Sequence, residues 1–259
     1  MGRFDQMVAE GSQRPLTGWD FSWLGHRLEE DPPPWDYTDA VLDLARHSPD
    51  LLDLGTGGGE WLAALPIRPP QTVGAEGWPP NVAVARGRLE PLGVKVVAYE
   101  SPRDNVDQRS DEPSLPFPAD SFHLVADRHE SFVASEVSRV LVPGGSFLTQ
   151  QVGSFESLSR LMEAPEPASA NPLAWTLDLA LDQLRSAGLR IAVAHETRVA
   201  TRVLDVAALI WYLRMVPWVV PDFSVAKYAP RLRELHQIST KEPLSFEEER
   251  FFIVAERRS

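Results

Sequence analysis

The strongest constraint on this chain is a run of glycines that ends an apolar stretch. LLDLGTGGGEWL occupies residues 51–62, and an acid, Glu76, closes the next apolar run, TVGAE, 21 residues after Gly55. Glycine lacks a Cβ and tolerates positive φ, so an apolar strand that breaks into Gly55-Thr56-Gly57-Gly58-Gly59 lets the backbone approach a ligand closely. Glu76 then stands where the next parallel strand ends, placed to accept hydrogen bonds from a ribose diol. Together they indicate a nucleoside-containing cofactor. A dinucleotide fingerprint needs a small residue five positions after its first glycine, so that the helix packs and receives a pyrophosphate. Glu60 fills that position. A carboxylate there repels a pyrophosphate and suits a cationic ligand with an amino group and a sulfonium, or else it only caps the short helix that follows.

From residue 51 onward, apolar runs of strand length alternate with helical patterns. Strands are predicted near 50–54, 72–76, 94–99, 122–126, 145–152, 189–200 and 249–256. Helices are predicted near 36–47, 80–91, 131–141, 154–162, 172–187, 205–216 and 226–238. This alternation implies right-handed crossovers and a mainly parallel sheet. Pro143-Gly144-Gly145 is expected to stop one helix and turn into the fifth strand. Residues 1–35 form an N-terminal arm with one short helix, rich in aromatic residues and ending in Asp31-Pro32-Pro33-Pro34, which excludes a regular strand or long helix past its prolines.

At this point the chain resembles the class I S-adenosylmethionine (SAM)-dependent methyltransferases, whose first motif reads acid-x-Gly-x-Gly-x-Gly, here Asp53 to Gly59. LPFPADSFHLVADRHE at 115–130 is similar to the family's fourth strand, and EVSRVLVPGGSFLTQQVG at 136–153 to its following helix, turn and fifth strand. The general likeness is to an uncharacterised bacterial branch of the ubiquinone-biosynthesis-like enzymes. It implies an α/β, Rossmann-like, seven-stranded sheet of order 3-2-1-4-5-7-6, spanning 36–259, with the aromatic-rich stretch 201–246 as a C-terminal helical cap. It also implies SAM as cofactor and S-adenosylhomocysteine as product. The methyl would move by in-line displacement to a small molecule.

The resemblance carries residue roles as well. Asp53, Gly55, Thr56, Gly57 and Gly59 would hold the methionine end of the cofactor, Glu76 its ribose hydroxyls, and Gly77 and Trp78 its adenine. Asp111 falls where relatives keep an acid for the adenine amino group. Asp127-Arg128-His129-Glu130 ends the fourth strand, and ligands of open α/β sheets bind beyond such ends. His129 is a candidate general base near neutral pH or merely orders the turn, with Asp127 competing for the role. Glu130 would cap the next helix, and His123 replaces the family's usual aspartate. Gln150 and Gln151 orient the substrate or satisfy neighbouring backbone. Trp19, Trp23, Trp211, Tyr212 and Trp218 form a lid over the substrate or pack helices onto the sheet edge.

Bulk properties narrow the partners. With 37 Asp+Glu against 25 Lys+Arg and a net charge of −12, a general attraction to phosphate backbones is not expected. No cysteine is present, which removes thiolate zinc sites, cysteine nucleophiles and clusters held by thiolates. No metal is called for. The N-terminus has no signal-peptide core and no run is long enough for a membrane span, so a cytoplasmic monomer or homodimer is expected. The rival readings are an rRNA or tRNA base methyltransferase, which needs a basic face built from Arg68, Arg86, Arg88, Arg103 and Arg109, and a non-catalytic SAM-binding sensor or partner subunit.

Overall fold

A computed structural model of the chain describes residues 2–16, 19–102, 104–106, 114–153, 156–164 and 175–259. In chain order its elements are α1 (Arg3–Gln13), β1 (Leu28–Glu30), α2 (Tyr37–Ala45), β2 (Asp50–Leu54), α3 (Glu60–Ala64), β3 (Gln71–Glu76), α4 (Pro79–Leu89), β4 (Lys95–Ala98) and β5 (Phe122–Arg128). These are followed by α5 (Ala134–Val140), β6 (Leu141–Val152), α6 (Glu156–Leu161), α7 (Leu177–Ser186), β7 (Leu189–Val203), α8 (Val206–Met215), α9 (Val225–Ser239) and β8 (Leu244–Arg257).

The strand order is β1-β7-β8-β6-β5-β2-β3-β4. Taken without β1, it is the expected 3-2-1-4-5-7-6 arrangement, with β2 to β6 parallel and β8 antiparallel to β6. The count departs from seven. Leu28–Glu30 pairs antiparallel with β7, Leu28 opposite Val203 and Glu30 opposite Thr201. This eighth strand fits the local chemistry, since it stops before Pro32, where the ladder would lose its N–H donors.

A second departure concerns Pro143-Gly144-Gly145. The helix already ends at Val140, and the triplet lies inside β6, where the register against β5 slips between Phe122 and Leu124. Gly144 takes φ +81° there, so the glycines serve a bulge in the strand rather than a helix stop.

The chain divides into two compact units. The sheet unit comprises Pro34–Gly153, Leu173–Thr197 and Arg250–Ser259. Its central strand β2, Asp-Leu-Leu-Asp-Leu, is buried along its whole length, as a parallel strand covered on both faces must be. One face packs Leu52, Leu54, Val125, Phe132, Phe147 and Phe251, and the other Leu51, Leu62, Leu89, Leu124, Leu148 and Phe252. Asp36 caps α2 by accepting from the Asp39 N–H at 2.9 Å.

The helical unit comprises Met1–Pro33, Ser154–Pro172 and Arg198–Glu249. Its core gathers Leu158, Met162, Val203, Leu209, Trp211, Leu213, Leu232, Leu235 and Phe246. No helix among the described residues is long and apolar enough to cross a membrane.

Candidate functional site

Strand β2 ends in the glycine loop, and the loop needs its glycines for different reasons. Gly55, Gly57 and Gly59 all lie in the left-handed region, at φ +66°, +62° and +82°. A Cβ on Gly59 would stand 2.7 Å from Leu89 Cγ, so α4 packs directly on the loop. A Cβ on Gly55 would stand 2.5 Å from Glu130 Cβ, whereas one on Gly57 would meet nothing within 4 Å. The loop is thus closed on its flanks and open at Gly57.

Glu76, at the end of β3, is 2% exposed and holds that opening in shape. Its carboxylate accepts from the Gly57 N–H at 2.6 Å and from the Trp78 N–H at 2.8 Å. Thr56 N–H also donates to Ala75 O at 2.9 Å, locking the loop to β3. Gly77 is required by Ser101, whose Oγ would lie 1.8 Å from an added Cβ. Trp78, by contrast, is largely exposed, with Pro79 opening α4 behind it.

Four carboxyls converge at the ends of β2, β3 and β5. Asp53 and Asp127 are 3% and 0% exposed, and the parallel register sets Asp53 beside Ala126, the residue before Asp127. Burial raises Asp53 to about 7, with Glu76 adding to the rise and Thr56 opposing it. Glu130 is also raised to about 7, by burial and then by the charge of Glu76. Asp127 is pushed well above the usual carboxylate range by burial and by Glu130, and burial raises Glu76 against the pull of its backbone donors. Carboxyls are therefore crowded here and hold their protons more tightly than usual, with Arg128 opposing the rise at Asp53.

Several buried polar atoms beside this nest lack hydrogen bonds, Thr56 Oγ1 and Tyr99 Oη among them. Asp127 Oδ1 accepts from Gln151 Nε2 at 2.9 Å and from the Glu130 N–H at 3.2 Å, but its Oδ2 has no hydrogen bond, and neither has Asn81 Nδ2 near the start of α4. Next to the acids, Leu54, Tyr99, Pro102, Leu115, Phe132 and Val133 line a narrow apolar slot.

The other side of the β5 end carries different chemistry. Arg128 is paired with Gln150 across β5 and β6, Gln150 with Phe252 across β6 and β8, and Val152 with Arg250. Directly opposed residues share a face, so Arg128, Gln150 and Arg250 lie on one face of the sheet. His129 leaves the strand at φ +69°, its N–H donating to Gln150 O at 2.9 Å. Burial, then the charges of Arg250 and Arg128, push its imidazole well below the ordinary value. The residue also keeps a face open to solvent. Gln151 faces the acid side instead, its Nε2 donating to Asp127, to Glu130 O at 3.0 Å and to Thr149 Oγ1 at 2.8 Å.

Among the expected site residues, Asp53, Gly55, Thr56, Gly57, Gly59, Glu76, Gly77, Asp127, His129, Gln150 and Gln151 come together around the ends of β2, β3, β5 and β6. Asp111 lies outside the described residues. Trp211 and Tyr212 correct the picture of a substrate-facing lid. Trp211 is 1% exposed and packs on Trp23 at 5.4 Å, and the Tyr212 hydroxyl donates to buried Glu248 at 2.7 Å, both within the helical unit. Their helix, VAALIWYLRM, is apolar on nearly every side, which commits it to a core. Trp23 sits beneath the Arg27 and Arg14 guanidiniums, whereas Trp19 and Trp218 pair at 5.7 Å and remain exposed. His123, within β5 near its start, makes a local contact: its Nδ1 meets Asp50 Oδ2 at 2.7 Å.

Sequence reasoning missed Glu130 as a wall of the glycine loop, and it missed Asn81, Tyr99, Arg128 and Arg250. Tyr99 was within reach of the strand-end rule, since it directly follows β4. Arg250 was not, because its placement depends on the register of β8.

No family model matches the chain. Over 122 residues it is 33% identical to the demethylmenaquinone methyltransferase of Thermus thermophilus, an overlap of 43% of this chain and 50% of that one. The chain therefore matches about half the length of this relative. A candidate methyltransferase from Bacillus halodurans C-125 shares the fold with a TM-score of 0.58 at 18% identity, covering 86% of this chain and 99% of the other. The YcgJ protein of Bacillus subtilis gives 0.57 at 18% identity, over 86% and 98%. The [4+2]-cyclase SpnF gives 0.50 at 17% identity, over 98% and 92%. The chain therefore shares the fold of these structures, and over this stretch its sequence is similar to a methyltransferase of the menaquinone type.

Proposed function

We propose that the protein is a SAM-dependent methyltransferase acting on a small-molecule acceptor by in-line displacement. The observation that carries this reading is the nest of Asp53, Glu76, Asp127 and Glu130 around the open Gly57, beside an apolar slot. The unpartnered Asp127 Oδ2 and Asn81 Nδ2 fit a ligand with both donors and acceptors. Asp53 and the glycine loop would hold the amino acid end, Glu76 the ribose, and the slot the base. When bound, SAM supplies an electrophilic methyl group on a sulfonium. The protein's own part is alignment and exclusion of water, for which well-oriented systems gain up to ~7–11 kcal/mol.

A small acceptor is favoured over RNA by the arginines. Arg68 donates to Leu62 O, Ala63 O and Leu65 O at 3.2, 3.0 and 2.7 Å, closing the end of α3. Arg88 is bound to Gly58 O and Glu60, and Arg86 faces Glu90 at 4.0 Å. These cations serve the fold, leaving little for a phosphate backbone, and Arg103 and Arg109 lie outside the described residues. The sequence relative, named for demethylmenaquinone, points the same way.

SpnF carries this fold and is named for a cyclisation, so the fold alone does not establish methyl transfer, and cofactor binding alone does not separate an enzyme from a sensor. Incubation with methyl-labelled SAM and a panel of phenols, quinols, amines and short RNAs separates them. Label moving to a small acceptor supports the reading. Label moving only to RNA, or SAM binding with no transfer to any acceptor, would replace it with one of its rivals.

A further inference from the structure

One hydrogen-bonded chain on the arginine side has only one self-consistent assignment of protons. The indole of Trp35 donates from Nε1 to Gln150 Oε1 at 2.8 Å. Indole N–H is a donor and nothing else, so the amide must present its oxygen to Trp35 and its NH2 elsewhere. That NH2 lies 3.3 Å from His129 Nε2. An amide NH2 can only donate, so His129 Nε2 must accept and carries no proton. The order of donors follows from the tryptophan, the one member of the chain with no alternative state.

The surroundings reinforce the arrangement. Gln150 is 6% exposed, and its backbone carbonyl also receives the His129 N–H at 2.9 Å, so the two residues are fixed to each other twice. Trp35 is stacked between His195 and Phe252, at 6.3 and 5.9 Å. Arg128 from β5 and Arg250 from β8 both oppose a positive charge on His129. The nearest acids in sequence, Asp127 and Glu130, have raised proton affinity and are weak as counter-charges.

We infer that Trp35 and Gln150 are positioning residues that hold His129 as its neutral Nδ1–H tautomer, making it a hydrogen-bond donor at the site and not a base. On the methyltransferase reading, His129 then takes no proton from the acceptor, which suits one that arrives already nucleophilic. An enolate, a phenolate or another anion fits, and the guanidiniums of Arg128 and Arg250 on that face suit its charge. The general-base role expected for His129 is replaced by a donor role.

Long-range proton–nitrogen NMR spectra of protein labelled at its imidazole nitrogens read the tautomer directly, with no cofactor or substrate needed. His129 is assigned by its disappearance in His129→Asn. The expected spectrum shows His129 Nε2 as a bare nitrogen and Nδ1 as protonated at pH 7. Gln150→Glu offers Nε2 an acceptor in nearly the same shape, so it should move the proton to Nε2, and Trp35→Phe should give a mixture of tautomers. A protonated Nε2 in the parent protein, or a tautomer indifferent to Gln150→Glu in a folded variant, would overturn the inference. If methyl transfer is found, a second arm reads the role. Asparagine tolerates positive φ and keeps an N–H near the Nδ1 position, so His129→Asn should stay within a few fold of the parent while His129→Ala falls further. Base catalysis would instead cost both variants ~10²–10⁴-fold. The spectra stand or fall independently of any activity, so failure here and failure of the methyltransferase reading are distinguishable.

Discussion

Asp127 and Arg128 are neighbours in sequence, yet they serve two unlike regions on either side of the β5 end. On one side, buried carboxyls crowd around an open glycine loop. On the other, an indole, an amide and an imidazole are linked in a neutral chain next to two guanidiniums. Strand geometry separates Asp127 from Arg128, because successive side chains point to opposite faces, while Asp53, opposite Ala126, reaches the glycine loop from the Arg128 face. The difference teaches what each region contains. The acid side holds carboxyls of raised proton affinity around an open loop, whereas the amide side is linked internally by hydrogen bonds.

The largest effect is expected from Gly55→Val. It forces a β-branched residue to φ +66° and into Glu130. Left-handed strain of ~1–2 kcal/mol and overpacking of ~1–3 kcal/mol add up in one place. Calorimetry should find SAM binding lost and the melting temperature lowered, while Gly57→Ala, where space is open, should spare the fold more than the binding.

Glu76→Ala comes next. Removing a charged hydrogen-bonding partner costs ~1.5–3 kcal/mol, and SAM affinity should fall by that much. Because Glu76 also holds the Gly57 and Trp78 N–H groups, the free protein should melt earlier as well. The sequence alone suggests a purely ligand-directed acid with little effect on the free protein, and the backbone bonds correct that view.

The acid side should also give the free protein an unusual pH dependence. Asp53 and Glu130 titrate at about 7 in the folded state, above their unfolded values. Between the two values the folded chain binds more protons than the unfolded one, so stability must fall as pH rises through that window. Chemical denaturation from pH 5 to 8 should show the decline, and Asp53→Asn should flatten it. A curve that rises toward pH 8 would mean these carboxyls are better solvated than their burial implies.

The smallest effect is expected from Arg68→Ala. It removes a cation that closes α3 by sharing one nitrogen among three carbonyl oxygens, worth ~0.5–1.5 kcal/mol in all in net stability. The melting temperature should drop slightly with SAM affinity unchanged. A matching loss of RNA binding would reopen the nucleic-acid reading.

The acid side was largely legible in the sequence because it is local. Asp53, the glycine run and Glu76 are fixed by spacing along two consecutive strands, and their chemistry needs no distant partner to be recognised. The amide side was not legible in the same way. Gln150 stood out as a polar residue closing an apolar strand, but its meaning depends on Trp35, 115 positions away. His129 looked like a base because histidine titrates near neutral pH, and only the direction of the Trp35 hydrogen bond removes that role. The aromatic residues misled for a related reason. Spacing showed that Trp211 and Tyr212 lie outside the sheet, while their burial follows from a helix that is apolar all round. The short β1 was masked by the prolines that follow it.

Isothermal titration of SAM and of NAD into the intact chain at pH 6 and pH 8 tests most directly whether the carboxyls around Gly57 form a cation's binding site. A cation that draws protons off Asp53 or Glu130 must bind more tightly as pH rises, by up to ~1.4 kcal/mol per pH unit for each proton released. The expected result is SAM binding that strengthens toward pH 8 with proton release, and no binding of NAD. NAD binding without SAM binding, or SAM affinity that weakens toward pH 8, would contradict it.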